Sequence, residues 1–175
     1  MYGLRGQCIL IIFEKTNQMR RKDKEITDEN IIMQILRNSE ICRLGLIDGT
    51  EAYIVPVNYA WKEGNIYIHS APTGRKIDLI RKNNRVTFEI ELSHEIVTGD
   101  NPCQWSAKYR SVMGRGTVEL FSDRDSKKEG LDLIMTKYGA TGELIYDEVS
   151  LSKMIVLKIK IESISAKQSG EWRNN

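Results

Sequence analysis

The fold is decided by the stretch Ile66-Tyr67-Ile68-His69-Ser70-Ala71-Pro72-Thr73-Gly74-Arg75-Lys76-Ile77. It begins as an apolar, β-prone run, is interrupted by a proline and a glycine, and resumes with apolar residues at helical spacing. This pattern predicts a strand, a tight turn and a short helix over 76–81. The first N–H groups of a helix favour an anion such as phosphate, and Arg75 and Lys76 add two cations there. Taken alone, the stretch fits a solvated basic turn better than a phosphate site.

Composition predicts one soluble globular domain. The chain has 175 residues, of which 41% are hydrophobic and 29% charged. A formal charge of +2 is too small to indicate binding to nucleic acid or to a membrane. Cys8, Cys42 and Cys103 show no metal-ligand spacing, and His69 and His94 form no zinc signature, so no metal site is expected. Reduced thiols favour a cytoplasmic location.

The first eighteen residues differ from the rest of the chain. The apolar run 8–13 is far too short to span a bilayer, and no signal-peptide cleavage site follows it. Met19 has the appearance of a natural start. We therefore expect residues 1–18 to be an upstream or artificially added extension, with an added edge strand as the alternative.

Alternation and turn residues predict mostly β-structure. The stretches with strand character are 41–47, 52–61, 66–70, 86–92, 109–121 and 154–164. Asp48-Gly49 is a strong hairpin signal between the first two, and Pro56 requires an edge, a bulge or a ligand in the second. Residues 93–107 are polar and irregular, which predicts a loop. Gly114 and Gly116 predict a bulge or a close approach of another backbone.

Helices are predicted in three places. The first begins at Thr27 or Asp28 and ends at Asn38-Ser39, the second is 76–81, and the third begins at Ser122. The residues expected on the buried face of the third are Leu131, Ile134, Met135 and Tyr138. The short turns between strands exclude parallel crossovers, so we expect an α+β architecture built on an antiparallel barrel.

Four sets of residues in register resemble the FMN-binding split-barrel proteins of the pyridoxamine 5'-phosphate oxidase-like superfamily, and most closely its nitroimidazole-resistance branch. They are 42–45, 53–59, 66–70 followed by Gly74-Arg75-Lys76, and 109–112 with Gly116. The last strand continues the match. The resemblance covers 19–167 as one domain and leaves 168–175 as a C-terminal tip.

This resemblance implies a Greek-key split β-barrel of about six strands with peripheral helices. It also implies a homodimer with FMN, or FAD, in two clefts at the subunit interface. The residues that it implies for the cofactor are the main chain of Val55, Pro56, Val57, Asn58 and Tyr59, then His69, Ser70, Gly74, Arg75 and Lys76, and finally Ser111 and Val112 from the other subunit.

Purely structural interpretations of the same residues remain open. Pro56 is also explained by an edge strand, and Ser111 by an ordinary strand serine. In the resembling branch a histidine at the position of His69 lies near the flavin, where it could donate a proton to a reduced nitro group. A strand histidine bonded to a carbonyl, or a phosphate contact, accounts for it equally well.

Two functions follow from the resemblance. The first is an FMN-dependent oxidoreductase that reduces a small-molecule acceptor, with a nitroaromatic as a candidate substrate. The second is a flavin- or haem-binding module without turnover of its own. No dinucleotide-binding fingerprint of the GxGxxG type is present to identify the electron donor.

Overall fold

The computed structural model describes residues 14–15 and 19–172. Its strands are β1 (Glu14–Lys15), β2 (Ile41–Asp48), β3 (Glu51–Asn58), β4 (Ala60–Lys62), β5 (Asn65–Ser70), β6 (Arg85–Val97), β7 (Ser106–Phe121) and β8 (Ile155–Ser169). Its α-helices are α1 (Glu29–Asn38), α2 (Arg75–Lys82), α3 (Arg124–Lys137) and α4 (Glu148–Ser152). Within these residues, no helix is long and apolar enough to cross a membrane.

The strands form one sheet in the order β3-β2-β6-β7-β8-β5-β4. All pairs along this path are antiparallel. Strands β2 and β5 have neighbours that are distant in sequence, β6 and β8, which gives the sheet its Greek-key order. The predicted α+β fold with an antiparallel split barrel is therefore confirmed.

Most of the predicted leader lies outside the described residues. Only Glu14–Lys15 is described, and it pairs in parallel with Ser163 and Ile164 of β8. An isolated bridge from Glu25 to Lys167 continues along the same edge. These contacts occupy the part of the β8 edge that lies beyond its pairing with β5.

Side chains that alternate along the strands fill the barrel. Residues on its inner side, such as Leu44, Ile68, Ile90 and Val112, are completely buried. A second cluster lies outside the barrel, where α3 packs on β5 and β8. Gly130 lets α3 approach the sheet, since a Cβ there would lie 2.6 Å from Cγ1 of Val156.

The predicted close approach at two glycines of β7 is confirmed. A Cβ on Gly114 would lie 2.3 Å from Cζ of Phe88, and one on Gly116 would lie 2.3 Å from the carbonyl oxygen of Lys160. The pairing of β7 with β8 shifts between Arg115 and Gly116, which marks a bulge. The hairpin at Asp48-Gly49 is confirmed as well, with Gly49 at a φ of 64°.

The prediction of a loop over 93–107 was wrong at both ends. Strand β6 continues to Val97 and β7 begins at Ser106, so the two strands form a long hairpin arm. The pairing skips Leu92, and this irregularity shifts the alternation by one residue. Residues 94–98 are exposed on both faces of the arm. Because neither face is buried, the sequence shows no alternation of apolar and polar residues there.

Other expectations need smaller corrections. The predicted strand 52–61 is broken at Tyr59 into β3 and β4. The N-cap of α3 is Asp123, which accepts a hydrogen bond from the N–H of Ser126, rather than Ser122. Met135 and Tyr138 are exposed because the buried face of α3 ends at Ile134.

Candidate functional site

The junction of β5 and α2 is built as the sequence predicts. Gly74 has a φ of 111°, in the region that favours glycine, and a Cβ there would meet nothing within 4 Å. Its carbonyl accepts from the N–H groups of Ile77 at 2.8 Å and Asp78 at 3.0 Å, which starts the helix. Among the described residues, no side chain caps this start, whereas α1, α3 and α4 each begin with an aspartate that does. The uncapped N-terminus of α2 can therefore accept an anion.

Arg75 connects this helix start to the β2–β3 hairpin. Its Nε and Nη2 donate to Oδ2 of Asp48 at 2.8 and 2.7 Å. Its guanidinium also lies 4.8 Å from the centre of the Tyr53 ring. The side chain is still 58% exposed, so this ion pair faces solvent and is weak. In this arrangement the Asp48 carboxylate already binds Arg75, which is one of the two cations predicted to bind a phosphate.

Lys76 differs from Arg75 in its surroundings. It is half-buried, and burial lowers the pKa of its ammonium group below the usual value. Within the described residues, it has no carboxylate at ion-pair distance. A partly desolvated ammonium without such a partner gains more from an anion than an exposed, paired guanidinium does, so an anion here would favour Lys76 over Arg75.

Strand β3 supplies the predicted main-chain surface. Val55 and Val57 are half-buried against the barrel core, while Pro56 and Asn58 are exposed on the other face. Among the described strands β3 has one neighbour, β2, so Pro56 lies in an edge strand. The edge explains this proline without a ligand. The same edge leaves main-chain groups of β3 available.

Tyr59 is a core residue. Its side chain is completely buried, and its hydroxyl donates to the carbonyl oxygen of Leu36 at 2.8 Å. Its N–H donates to the hydroxyl of Tyr138 at 3.2 Å, and burial raises the pKa of its phenol. Because the whole residue is 0% exposed in the single chain, Tyr59 presents neither its side chain nor its main chain at the surface.

His69 and Ser70 lie at the end of β5 and face opposite sides of the sheet. Ser70 is 9% exposed, on the same side as Ile66 and Ile68 of the barrel core. His69 is exposed on the outer side, opposite Val156 of β8. Only His69 presents its side chain to a ligand outside the barrel.

Ser111 and Val112 are not brought to β3 within one chain. They lie on β7, which β2 and β6 separate from β3. Three steps of about 4.8 Å between neighbouring strands make roughly 14 Å. Val112 is completely buried in the core, and Ser111, on the outer face between Glu91 and Lys167, is 5% exposed. Within one chain, β3 and Ser111 are therefore not neighbours.

Sequence reasoning missed one residue of this site, Asp48. The sequence shows it only as a turn residue of the hairpin. Its contact with Arg75 joins positions 27 apart, and no local pattern reveals such a pair.

Comparison with known proteins places the chain in a family. The family model described as pyridoxamine 5'-phosphate oxidase matches residues 28–168. A protein from Bacteroides thetaiotaomicron, provisionally assigned to 5-nitroimidazole antibiotic resistance, is 30% identical, with a TM-score of 0.73 over 82% of this chain and 86% of that one. A search of curated proteins found no match.

Two less similar structures share the fold. A flavocytochrome from Azotobacter vinelandii is 19% identical, with a TM-score of 0.74 over 91% of this chain and 76% of that one. An FAD- and haem-binding protein from Mycobacterium smegmatis is 20% identical, with a TM-score of 0.75 over 87% and 76%. The family match over most of the chain agrees with the motifs at 53–59 and 66–76, and the chain belongs to the pyridoxamine 5'-phosphate oxidase family.

Proposed function

We propose that the protein is an FMN-dependent oxidoreductase that reduces a small acceptor, with nitroaromatic compounds as the substrate class. The observation that carries this proposal is the start of α2, where in the described part of the chain no side chain caps the helix and no carboxylate pairs with Lys76. The 30% identity to a protein assigned to 5-nitroimidazole resistance supports the substrate class.

The residues present fit the phosphate end of FMN. The free N–H groups of the first turn of α2 and the ammonium of Lys76 are donors, and the open space at Gly74 admits a group close to the backbone. Arg75 can add a second cation once it leaves Asp48, because an exposed ion pair is worth only about 0.2–1 kcal/mol. A dianionic terminal phosphate makes better use of these donors than the bridging phosphates of FAD.

We further propose that the protein is a homodimer with a cofactor cleft between its subunits. One chain keeps β3 and Ser111 on separate parts of the sheet, as described above. In addition, four apolar side chains are exposed on the outer face of β2, β3 and β7, around the ion pair of Arg43 with Glu89, and we call them the sheet patch. Its members are Ile41, Ile47, Ile54 and Met113, which are 45, 62, 65 and 46% exposed. A second copy would cover this patch and bring Ser111 to the partner's β3.

The sheet patch can be tested by one substitution and a matched control. Ile54→Glu places a charge in the patch, and we expect it to shift the protein from dimer to monomer in analytical ultracentrifugation. Ile145→Glu is the control, because Ile145 is 85% exposed and lies outside the patch. A dimer that persists in Ile54→Glu would contradict this interface.

The chain's own residues would bind the phosphate of FMN, orient its ring and protonate the acceptor. Lys76 and the start of α2 hold the phosphate, and the main chain at the edge of β3 orients the ring. Bound FMN supplies the reducing electrons for the acceptor. The exposed imidazole of His69 can donate a proton to the acceptor as it is reduced.

An absorption experiment on the purified protein tests the function. We expect flavin bands that a reductant bleaches and that a nitroaromatic compound restores. Flavin bands that no acceptor restores, or a Soret band, would favour the alternative of a flavin- or haem-binding module without turnover. A colourless protein that cannot be reconstituted with FMN would refute both.

A further inference from the structure

A cavity of about 560 Å³ lies between the C-terminal half of α1, strand β4 and α3. Its volume is in the range of small-molecule sites. None of the residues predicted for the flavin lines it. The indole of Trp61 and the side chain of Leu133 form apolar parts of its wall.

The charges around this cavity are unbalanced. Three cations line it, namely Arg37, Lys62 and Lys137, against the carboxylates of Glu129 and Asp132. Asp132 is already engaged, since its Oδ2 accepts from Lys128 at 2.7 Å. In the part of the chain that the structure describes, none of the three cations has a carboxylate at ion-pair distance. The cavity therefore favours an anion.

Three lining residues carry buried polar atoms that lack hydrogen-bond partners among the described residues. They are the donors Nε1 of Trp61 and Nζ of Lys137 and one acceptor, Oδ1 of Asp132. Nζ of Lys137 instead lies 3.2 Å from the centre of the Tyr59 ring, and the guanidinium of Arg37 lies 5.2 Å from the ring of Trp61. Buried polar atoms are nearly always paired in folded proteins, and the unpaired donors at this cavity outnumber the one unpaired acceptor, which indicates a missing acceptor.

Lys137 is the lining residue that an anion would stabilise most. Burial lowers the pKa of its ammonium to about 8, while the Glu40 carboxylate acts in the opposite direction, and the nearby Cys42 thiol is uncharged in this pH range. The other charged groups that face it are Arg37, Lys62, Glu129 and Asp132 along the cavity wall. The ammonium is thus charged at neutral pH and partly desolvated, and the Tyr59 ring and the Glu40 carboxylate stabilise its charge.

We propose that this cavity is a second ligand site, separate from the flavin cleft, for a small carboxylate with a flat apolar body. The carboxylate accepts from Nζ of Lys137 and Nε1 of Trp61, and the body packs between the indole and Leu133. Both donors are covered in the unliganded arrangement. Binding therefore requires the Lys137 side chain to turn from the Tyr59 ring toward the cavity, and the Trp61 indole to shift so that Nε1 is uncovered.

Benzoate is a suitable probe, with benzamide as its neutral analogue. We expect calorimetric titration of the full chain to show saturable binding of benzoate and much weaker binding of benzamide. Lys137→Met keeps the side-chain length and removes the charge, and we expect it to weaken benzoate binding roughly tenfold or more. Lys22→Met, an exposed lysine on a separate 3₁₀ turn, is the matched control and should leave the affinity unchanged.

Two further measurements keep the result interpretable. In the wild-type protein, the affinity for benzoate should fall as the pH rises through about 8, because Lys137 then loses its proton. The double variant Arg75→Ala, Lys76→Ala should bind benzoate normally, which separates this site from the flavin cleft. The proposal is overturned if benzoate does not bind saturably, or if folded Lys137→Met binds it with wild-type affinity.

Discussion

We expect the two cations at the start of α2 to contribute unequally to the proposed phosphate site. Lys76 is half-buried and has no counter-ion among the described residues, whereas Arg75 is exposed and bound to Asp48. We predict that Lys76→Met weakens FMN binding more than Arg75→Met does. Sequence reasoning alone would treat the two residues as equivalent.

The magnitudes follow from the kinds of contact. A charge-assisted hydrogen bond contributes about 1.5–3 kcal/mol, so Lys76→Met should raise the Kd for FMN roughly 10- to 150-fold. Arg75 must first give up an exposed ion pair, worth about 0.2–1 kcal/mol, and this reduces its net contribution. Asp48→Asn removes this ion pair, and the same free energy then becomes available for the phosphate, so FMN binding should tighten by up to about fivefold.

Quenching of FMN fluorescence on titration with apoprotein measures these constants. Lys82→Met is the matched control, since Lys82 is an exposed lysine in the last turn of the same helix. We expect the control to bind FMN like the wild type. The reasoning is refuted if Lys76→Met also binds like the wild type, or if Lys82→Met weakens binding equally. Weaker binding by Asp48→Asn would show that the ion pair positions Arg75 instead of competing with the phosphate.

Three further substitutions test the histidine, the barrel packing and a buried thiol. His69→Asn should keep FMN affinity within about twofold but lower the rate of nitro reduction by about a hundredfold or more, in stopped-flow kinetics; an unchanged rate excludes it as the proton donor. Gly116→Ala should lower the free energy of unfolding in urea by about 1–3 kcal/mol more than Gly45→Ala, because its Cβ would lie 2.3 Å from a backbone oxygen, against 3.4 Å at Gly45. Burial raises the pKa of the Cys42 thiol from 9.0 to about 12, so above pH 9.0 the unfolded chain loses a proton that the folded chain retains. This group should therefore lower the free energy of unfolding above pH 9.0 by at most about 4 kcal/mol. When urea unfolding is measured below and above pH 9.0, the free energy of unfolding should fall less in Cys42→Ala than in the wild type.

Local sequence signals predicted the barrel well. The Asp48-Gly49 turn and the alternation along 86–92 each depend on neighbours in sequence, and the structure confirms the hairpin and the strand. The hairpin arm beyond Leu92 was missed because an irregularity shifts the alternation and neither face is buried. A strand without a buried face leaves no period in its sequence.

The candidate site was predicted less completely, because its geometry depends on contacts between distant residues. The turn at Gly74 and the cations after it were visible in the sequence. The pairing of Arg75 with Asp48 was not, and neither was the burial of Tyr59 beneath Lys137. Such contacts depend on how hairpins and helices pack against each other, and no local pattern encodes this.

We propose that FMN binds in a cleft between two copies of the chain. Sedimentation velocity of the reconstituted protein, followed at a wavelength absorbed only by flavin, can decide this. We expect the flavin to sediment with a species of twice the 20.1 kDa mass of one chain. Flavin that sediments with a single chain, or that remains free, would rule out a shared cleft.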